Sequence, residues 1–113
     1  MCIRDRSVDY PDVAAEVAGK VSADDAQRGV LICGSGIGMS IAANKLAGVR
    51  AVAAQNQKMA EMSRRHNDAN IICLSDADIS GDENLKLVKI FLATEFEGGR
   101  HQRRVDKISK LEE

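Results

Sequence analysis

A chain of 113 residues with 44% hydrophobic and 3% aromatic content has room for one domain with a core of Val, Ile, Leu and Ala. Sixteen basic residues against 17 acidic ones leave a net charge of −1, which excludes a whole-chain field that would draw it to nucleic acid or anionic lipid. No run of about 18 apolar residues and no secretory leader is present, which predicts a soluble cytoplasmic protein, and the widely spaced Cys2, Cys33 and Cys73 argue against a disulfide framework or structural zinc.

Residues 1–8, with "MCIRDRS" at their head, carry neither helical nor strand periodicity and are expected to be a tail that is not native to the domain at 9–113. From "DYPDVAAEVAGKV" a helix begins, because Pro11 suits a first turn and Val13, Val17 and Val21 recur every four residues. "GVLIC" then reads as a buried strand, and "SIAANKLAG" as a helix closed by Gly48. "VRAVAAQ" is expected to be a second strand, "NQKMAEMSRRHNDAN" a helix from Asn56 to about Asn67, and "IICLS" a third strand. Met59 and Met62 read as core filling. After the loop "DADISGDEN", "LKLVKIFLATEF" is dense enough in apolar residues for a helix on a sheet. Beyond "EGG", a charged terminal helix carries the stripe Val105, Ile108 and Leu111. The alternation of strand and helix predicts an α/β fold, a parallel sheet with helices on both faces.

Between the first strand and its helix lies "CGSGIG", with glycines at 34, 36 and 38. A dinucleotide loop needs G-x-G-x-x-G and a later acidic residue, a P-loop needs Gly-Lys-Ser/Thr, and a nucleophile elbow needs G-x-S-x-G. None fits, because Met39 stands at the lysine position, "AAQN" supplies no acid and Ser35 lies between adjacent glycines. Successive glycines at a helix start can instead turn their N–H groups inward around an anion. Cys33 beside them is placed to act as a base or nucleophile. Equally, it is a small buried hydrophobe at a tight turn.

Other polar residues leave two readings open as well. His66 is a helix-end histidine or a catalyst, and on its own helix it points away from the Cys33 loop, so catalytic use would require a second chain. Arg100 and Arg104, four apart on the last helix with His101 between them, form a fork for a phosphate or part of a solvated basic face. Tyr10 is a helix staple or a lid over a ligand.

Taken together, "DYPDVA", "GVLICGSGIGMSIAANK", "GVRA", "MSRRHNDAN" and "FEGGRHQRRVDKI" closely resemble the sugar-phosphate isomerase family that contains ribose-5-phosphate isomerase B and the galactose-6-phosphate isomerase subunits. The resemblance implies a three-layer α/β/α Rossmann-like parallel sheet. It implies interconversion of ribose 5-phosphate and ribulose 5-phosphate through a cis-enediolate, a step of the non-oxidative pentose phosphate pathway, without metal or organic cofactor. The galactose 6-phosphate branch is the alternative substrate class. In the roles it implies, Cys33 moves a proton between C2 and C1, and the loop Gly34, Ser35, Gly36, Ile37 and Gly38 steadies the enediolate. His66 assists ring opening with Asn67 beside it, Tyr10 lies at the substrate, and Arg100 and Arg104 hold the phosphate. It also implies a homodimer or tetramer with sites shared across the interface.

Two features depart from the family pattern. Its opening strand and Gly-x-Asp-His motif do not occur before Asp9, which leads us to expect an N-terminally truncated form lacking the first strands, and Ala77 stands where many members carry a basic residue. A truncated, inactive phosphosugar-binding fragment is therefore the rival from another class. A thiol redox protein ranks lower, for want of a resolving cysteine near Cys33.

Overall fold

The structure, a computed structural model, describes residues 9–112; the expected tail at 1–8 lies outside them. Three strands, β1 (Gly29–Cys33), β2 (Ala51–Ala53) and β3 (Ile71–Ser75), form one parallel sheet in the order β1-β3-β2. Five helices accompany them: α1 (Tyr10–Ser22), α2 (Ile37–Ala43), α3 (Gln57–Arg65), α4 (Gly81–Ala93) and α5 (Arg100–Lys110).

This order explains why both faces are covered. The chain leaves β1, skips a place to reach β2, then returns to lay β3 between them. Right-handed crossovers running in opposite directions put their helices on opposite faces. Accordingly Ala14, Ala18 and Val21 of α1 pack with Met39 and Ala43 of α2 over Leu31, Ile71 and Cys73, while Ala60 of α3 and Leu87 and Phe91 of α4 pack over Ile72 and Leu74. Alternate residues of β3 thus serve opposite cores, and all five are buried, as a central parallel strand requires. The expected three-layer α/β/α arrangement is the one found. Among the described residues β1 pairs on one side only, with β3.

Strands β1 and β3 coincide with the expected "GVLIC" and "IICLS". Several other expectations need correction. On α1 the fully buried line is Ala14, Ala18 and Val21, with Val13 and Val17 only partly covered, because the close approach of α2 admits the smaller side chains. Helix α2 stops at Ala43, well before Gly48, because Asn44 turns its side chain onto the backbone of Ala51, donating to its oxygen (2.9 Å) and accepting from its nitrogen (2.7 Å). The second strand is only Ala51–Ala53. Helix α4 begins at Gly81, inside the expected loop, because Ser80 Oγ accepts from the Glu83 amide. On α5 the buried residues are His101 and Val105, whereas Ile108 and Leu111 are exposed. Met59 is also exposed, and it joins Met62, Ile108 and Leu111 in lining a groove of about 690 Å³ between α3, β2 and α5.

Candidate functional site

Cys33 ends β1, at the carboxyl edge of the sheet where open α/β folds bind their ligands. Its register partner is Ser75, whose hydroxyl donates to the Gly34 oxygen (2.6 Å) and accepts from the Asp78 amide (3.3 Å). The Asp76 amide donates to the Cys33 oxygen (2.9 Å), and Asn84 Nδ2 clamps the Ser75 oxygen (2.8 Å). The loop after β3 therefore fixes the glycine loop from below. Sequence reasoning passes over Ser75 and Asn84, since a serine at a strand end and an asparagine in a first helical turn carry no distinctive spacing.

Within the loop, the Gly36 amide donates to Cys33 Sγ (3.1 Å) and the Ile37 amide donates to Ser35 Oγ (3.2 Å). The Gly36 amide is thus a hydrogen-bond donor at the sulfur, where a reacting oxyanion would also come. One of the three glycines is demanded by the backbone, and a second by the place Tyr10 takes. Gly36 has φ +79°, and a Cβ on it would lie 3.2 Å from the Leu74 carbonyl, while a Cβ on Gly38 would strike the Tyr10 ring at 2.6 Å. Tyr10, half-exposed, thus leans over the loop from the first turn of α1. At Gly34 a Cβ would meet nothing within 4 Å, so the fold gives no reason for a glycine there. The second thiol of this region behaves differently: burial, aided by Cys33, pushes Cys73 up to about 12, so it stays protonated and unreactive.

The remaining candidates gather elsewhere. Helix α3 starts beyond the carboxyl end of β2 and runs back, delivering His66 as its C-cap at the amino-terminal side of β3. Arg28, one residue before β1, donates from Nη1 to the carbonyl oxygens of Phe91 and Leu92 near the end of α4, which fixes the same end of the sheet. The chain then passes through Gly98 and Gly99, both with positive φ, into α5. There the His101 ring stacks on His66 with centroids 4.2 Å apart and planes 14° from parallel. Arg100 and Arg104 are exposed on the same helix, and neither makes an ion pair with a described residue. Asn67 is exposed beside them. One chain therefore brings His66, Asn67, Arg100 and Arg104 together at one end of the sheet and Cys33, the glycine loop and Tyr10 at the other.

Glu97 completes the histidine end. Its amide donates to the Arg65 oxygen (3.0 Å), its carboxylate pairs with the Arg65 guanidinium, and Oε1 lies 3.7 Å from His101 Nε2. His66, Glu97 and His101 present ligand atoms within 4.8 Å of one another, yet this is a poor metal site. Near-parallel stacked imidazoles cannot both direct an in-plane lone pair at one ion, and Glu97 is already engaged by Arg65. Burial, helped by His66 and the flanking Arg100 and Arg104, holds His101 below its ordinary value.

Fold and site together define a class: a three-layer α/β domain with a thiol beside an amide-lined loop at its sheet edge and a basic, histidine-bearing cluster on its last helix. The chain belongs to the ribose/galactose isomerase family, whose family model matches residues 2–108. It is 49% identical over 109 residues to a probable ribose-5-phosphate isomerase B of Mycoplasma genitalium, covering 96% of this chain and 72% of that protein. Among solved structures it is similar to type B ribose 5-phosphate isomerase of Trypanosoma cruzi, with TM-score 0.93 and 49% identity over 95% of this chain and 72% of that one. It is likewise similar to ribose-5-phosphate isomerase B of M. genitalium with bound ribulose-5-phosphate, with TM-score 0.93 and 46% identity over 99% of this chain and 74% of that one.

Proposed function

We propose that this protein is an aldose-ketose isomerase that interconverts ribose 5-phosphate and ribulose 5-phosphate in the non-oxidative pentose phosphate pathway. The observation that carries the reading is Cys33 Sγ at the sheet edge with the Gly36 amide donating to it, in a chain whose relatives include an isomerase holding ribulose-5-phosphate. Cys33 as thiolate takes the C2 proton of the open aldose, the C–H electrons form the C1–C2 double bond, and the C1 carbonyl electrons move onto its oxygen. The thiol then returns the proton to C1 while the O2 proton passes to O1, which leaves the ketose carbonyl at C2. The Gly36 and Ile37 amides, which donate to Cys33 Sγ and Ser35 Oγ in the free chain, would turn to the enediolate oxygens as charge develops there. The open space at Gly34 leaves room for the sugar to come against the backbone, with Tyr10 standing over Gly38 on the same loop. No step uses a metal or organic cofactor.

His66 serves ring opening by moving the proton between O1 and the ring oxygen, with Asn67 beside it. Arg100 and Arg104, four apart and unpaired with described residues, hold the phosphate dianion. Their distance from Cys33 within one chain supports a homodimer or higher oligomer, in which a second copy lends these residues to the Cys33 loop. The chemistry depends on a free thiol, and Cys73 is free as well, which suits a reducing cytoplasmic setting. The galactose 6-phosphate branch is the alternative substrate. Arg100 and Arg104 with His66 and Asn67 favour the pentose.

Assay of the chain with ribose 5-phosphate, against its Cys33→Ala variant, tests the reading. The expected outcome is turnover that falls by roughly a hundredfold or more in the variant. Equal rates in both proteins would eliminate Cys33 as the base. A wild-type chain that binds the sugar phosphate without converting it would favour a binding fragment.

A further inference from the structure

The His66 side chain makes no hydrogen bond to another described residue; only its backbone amide is engaged, donating to the Met62 oxygen (3.0 Å). What confines its ring laterally is the His101 ring stacked on it. His101, in contrast, is held on several sides. It is buried, its amide donates to the Gly98 oxygen (3.1 Å), and its Nε2 lies near the Glu97 carboxylate, which Arg65 grips in turn. Arg65 is itself tied to Glu61 at 3.1 Å on α3, the helix that His66 caps. The chain of contacts is thus closed, from α3 through Arg65 and Glu97 to His101 and back onto His66.

We propose that His101, braced by Glu97 and Arg65, is the positioning residue for His66, its stacked ring holding that imidazole in one orientation. The proposal rests on the reading of His66 as the ring-opening group. Burial, His66 and the flanking Arg100 and Arg104 lower the His101 pKa while the facing Glu97 carboxylate raises it, and His66 is the less buried of the two rings.

The chain has only two histidines, so ¹⁵N-imidazole spectra of the full chain contain only these two rings. His66 is expected to keep one side-chain rotamer, with ring-current-shifted protons, in the wild type and in His101→Phe, which keeps a flat ring. In His101→Ala its ring should average among rotamers, read from contacts between its ring protons and α3. With ribose 5-phosphate, His101→Ala should lower kcat by roughly tenfold to a hundredfold at unchanged KM, and His101→Phe should recover most of it. Deuterium exchange at C1 of ribulose 5-phosphate should stay at the wild-type rate. That ketose is open-chain because its O5 carries the phosphate, so the exchange reads the Cys33 step alone.

An unchanged His66 spectrum in His101→Ala overturns the proposal, and so does an equal loss of turnover and exchange in His101→Ala and His101→Phe. Should His101→Ala fail to fold, Glu97→Gln at a partly exposed position carries the same spectral test, with His66 expected to average among ring rotamers and an unchanged spectrum counting against the brace. A wild-type chain inert toward both sugars would defeat the isomerase reading, while the spectra still decide whether His101 orients His66.

Discussion

At the scale of single residues, the glycine loop separates what the fold demands from what a ligand would demand. Gly36 at φ +79°, close against the β3 backbone, admits a side chain only by forcing a left-handed conformation, so Gly36→Ala should lose about 1–2 kcal/mol of stability. It would also swing the amide away from Cys33 Sγ. Gly34→Ala meets no protein atom and should leave the urea midpoint unchanged while raising KM for ribose 5-phosphate. Paired denaturation curves and kinetics check both, and a stability loss at Gly34 equal to that at Gly36 would show that the open space is structural. His101 gives a pH prediction of definite sign. Its folded-state value lies below the ordinary 6.5, so on acidification the unfolded chain takes up the proton first. Stability is therefore unaffected above that pH and falls as pH drops below about 6.5. His101→Phe should flatten this acid decline in thermal midpoints measured from pH 8 to 5, and a decline of the same slope in the variant would assign it to other groups.

At the scale of elements, what the sequence reveals depends on whether local or distant contacts decide. Strands β1 and β3 are legible to the residue because a short apolar run bounded by polar or glycine residues leaves little choice of ends. The start of α4 was also available, since Ser80 and Glu83 are spaced as a capping box. The end of α2 was not, because Asn44 reaches across to Ala51 and no periodicity announces such a pairing. Nor was the buried face of α5, whose direction is set at Gly98 and Gly99 so that His101 rather than Ile108 turns inward. Another tertiary feature of this kind is Arg64, one of the few buried charges. It gives hydrogen bonds to Asp68 (2.7 Å) and to the carbonyls of Ala69 (2.6 Å) and Thr94 (3.2 Å), closing α3 onto β3 and the end of α4. Arg64→Met would strand the two carbonyls and leave Asp68 to Arg50 and solvent, and should cost about 2–3 kcal/mol. Cutting the exposed pair between Arg65 and Glu61 with Glu61→Ala should cost less than about 1 kcal/mol. Urea titrations that rank the two equally would contradict the role given to Arg64.

For the whole molecule, the decisive fact is the separation of the two clusters. β1 and β3 point their carboxyl ends at Cys33 and the Tyr10-covered loop, and every helix that follows a strand carries the chain back toward the opposite end, where His66, Arg100 and Arg104 collect. The motifs were legible in the sequence, and so was the direction of α3. Whether the clusters meet is not written in the local pattern, because a contact between two copies leaves no periodicity or spacing within one. If two copies supply one site, Cys33→Ala and His66→Ala chains should each be nearly inactive alone, yet complement when unfolded together and refolded. Random pairing makes half the dimers mixed, each with one intact site of two, so about a quarter of wild-type turnover should return. The recovered activity should disappear when the mixed partner carries both substitutions on one chain against a Cys33→Ala, Arg100→Gln chain, since no intact site can then form. A mixture that stays at the sum of its two inactive parents, while sedimentation shows mixed dimers, would contradict a site shared between two copies.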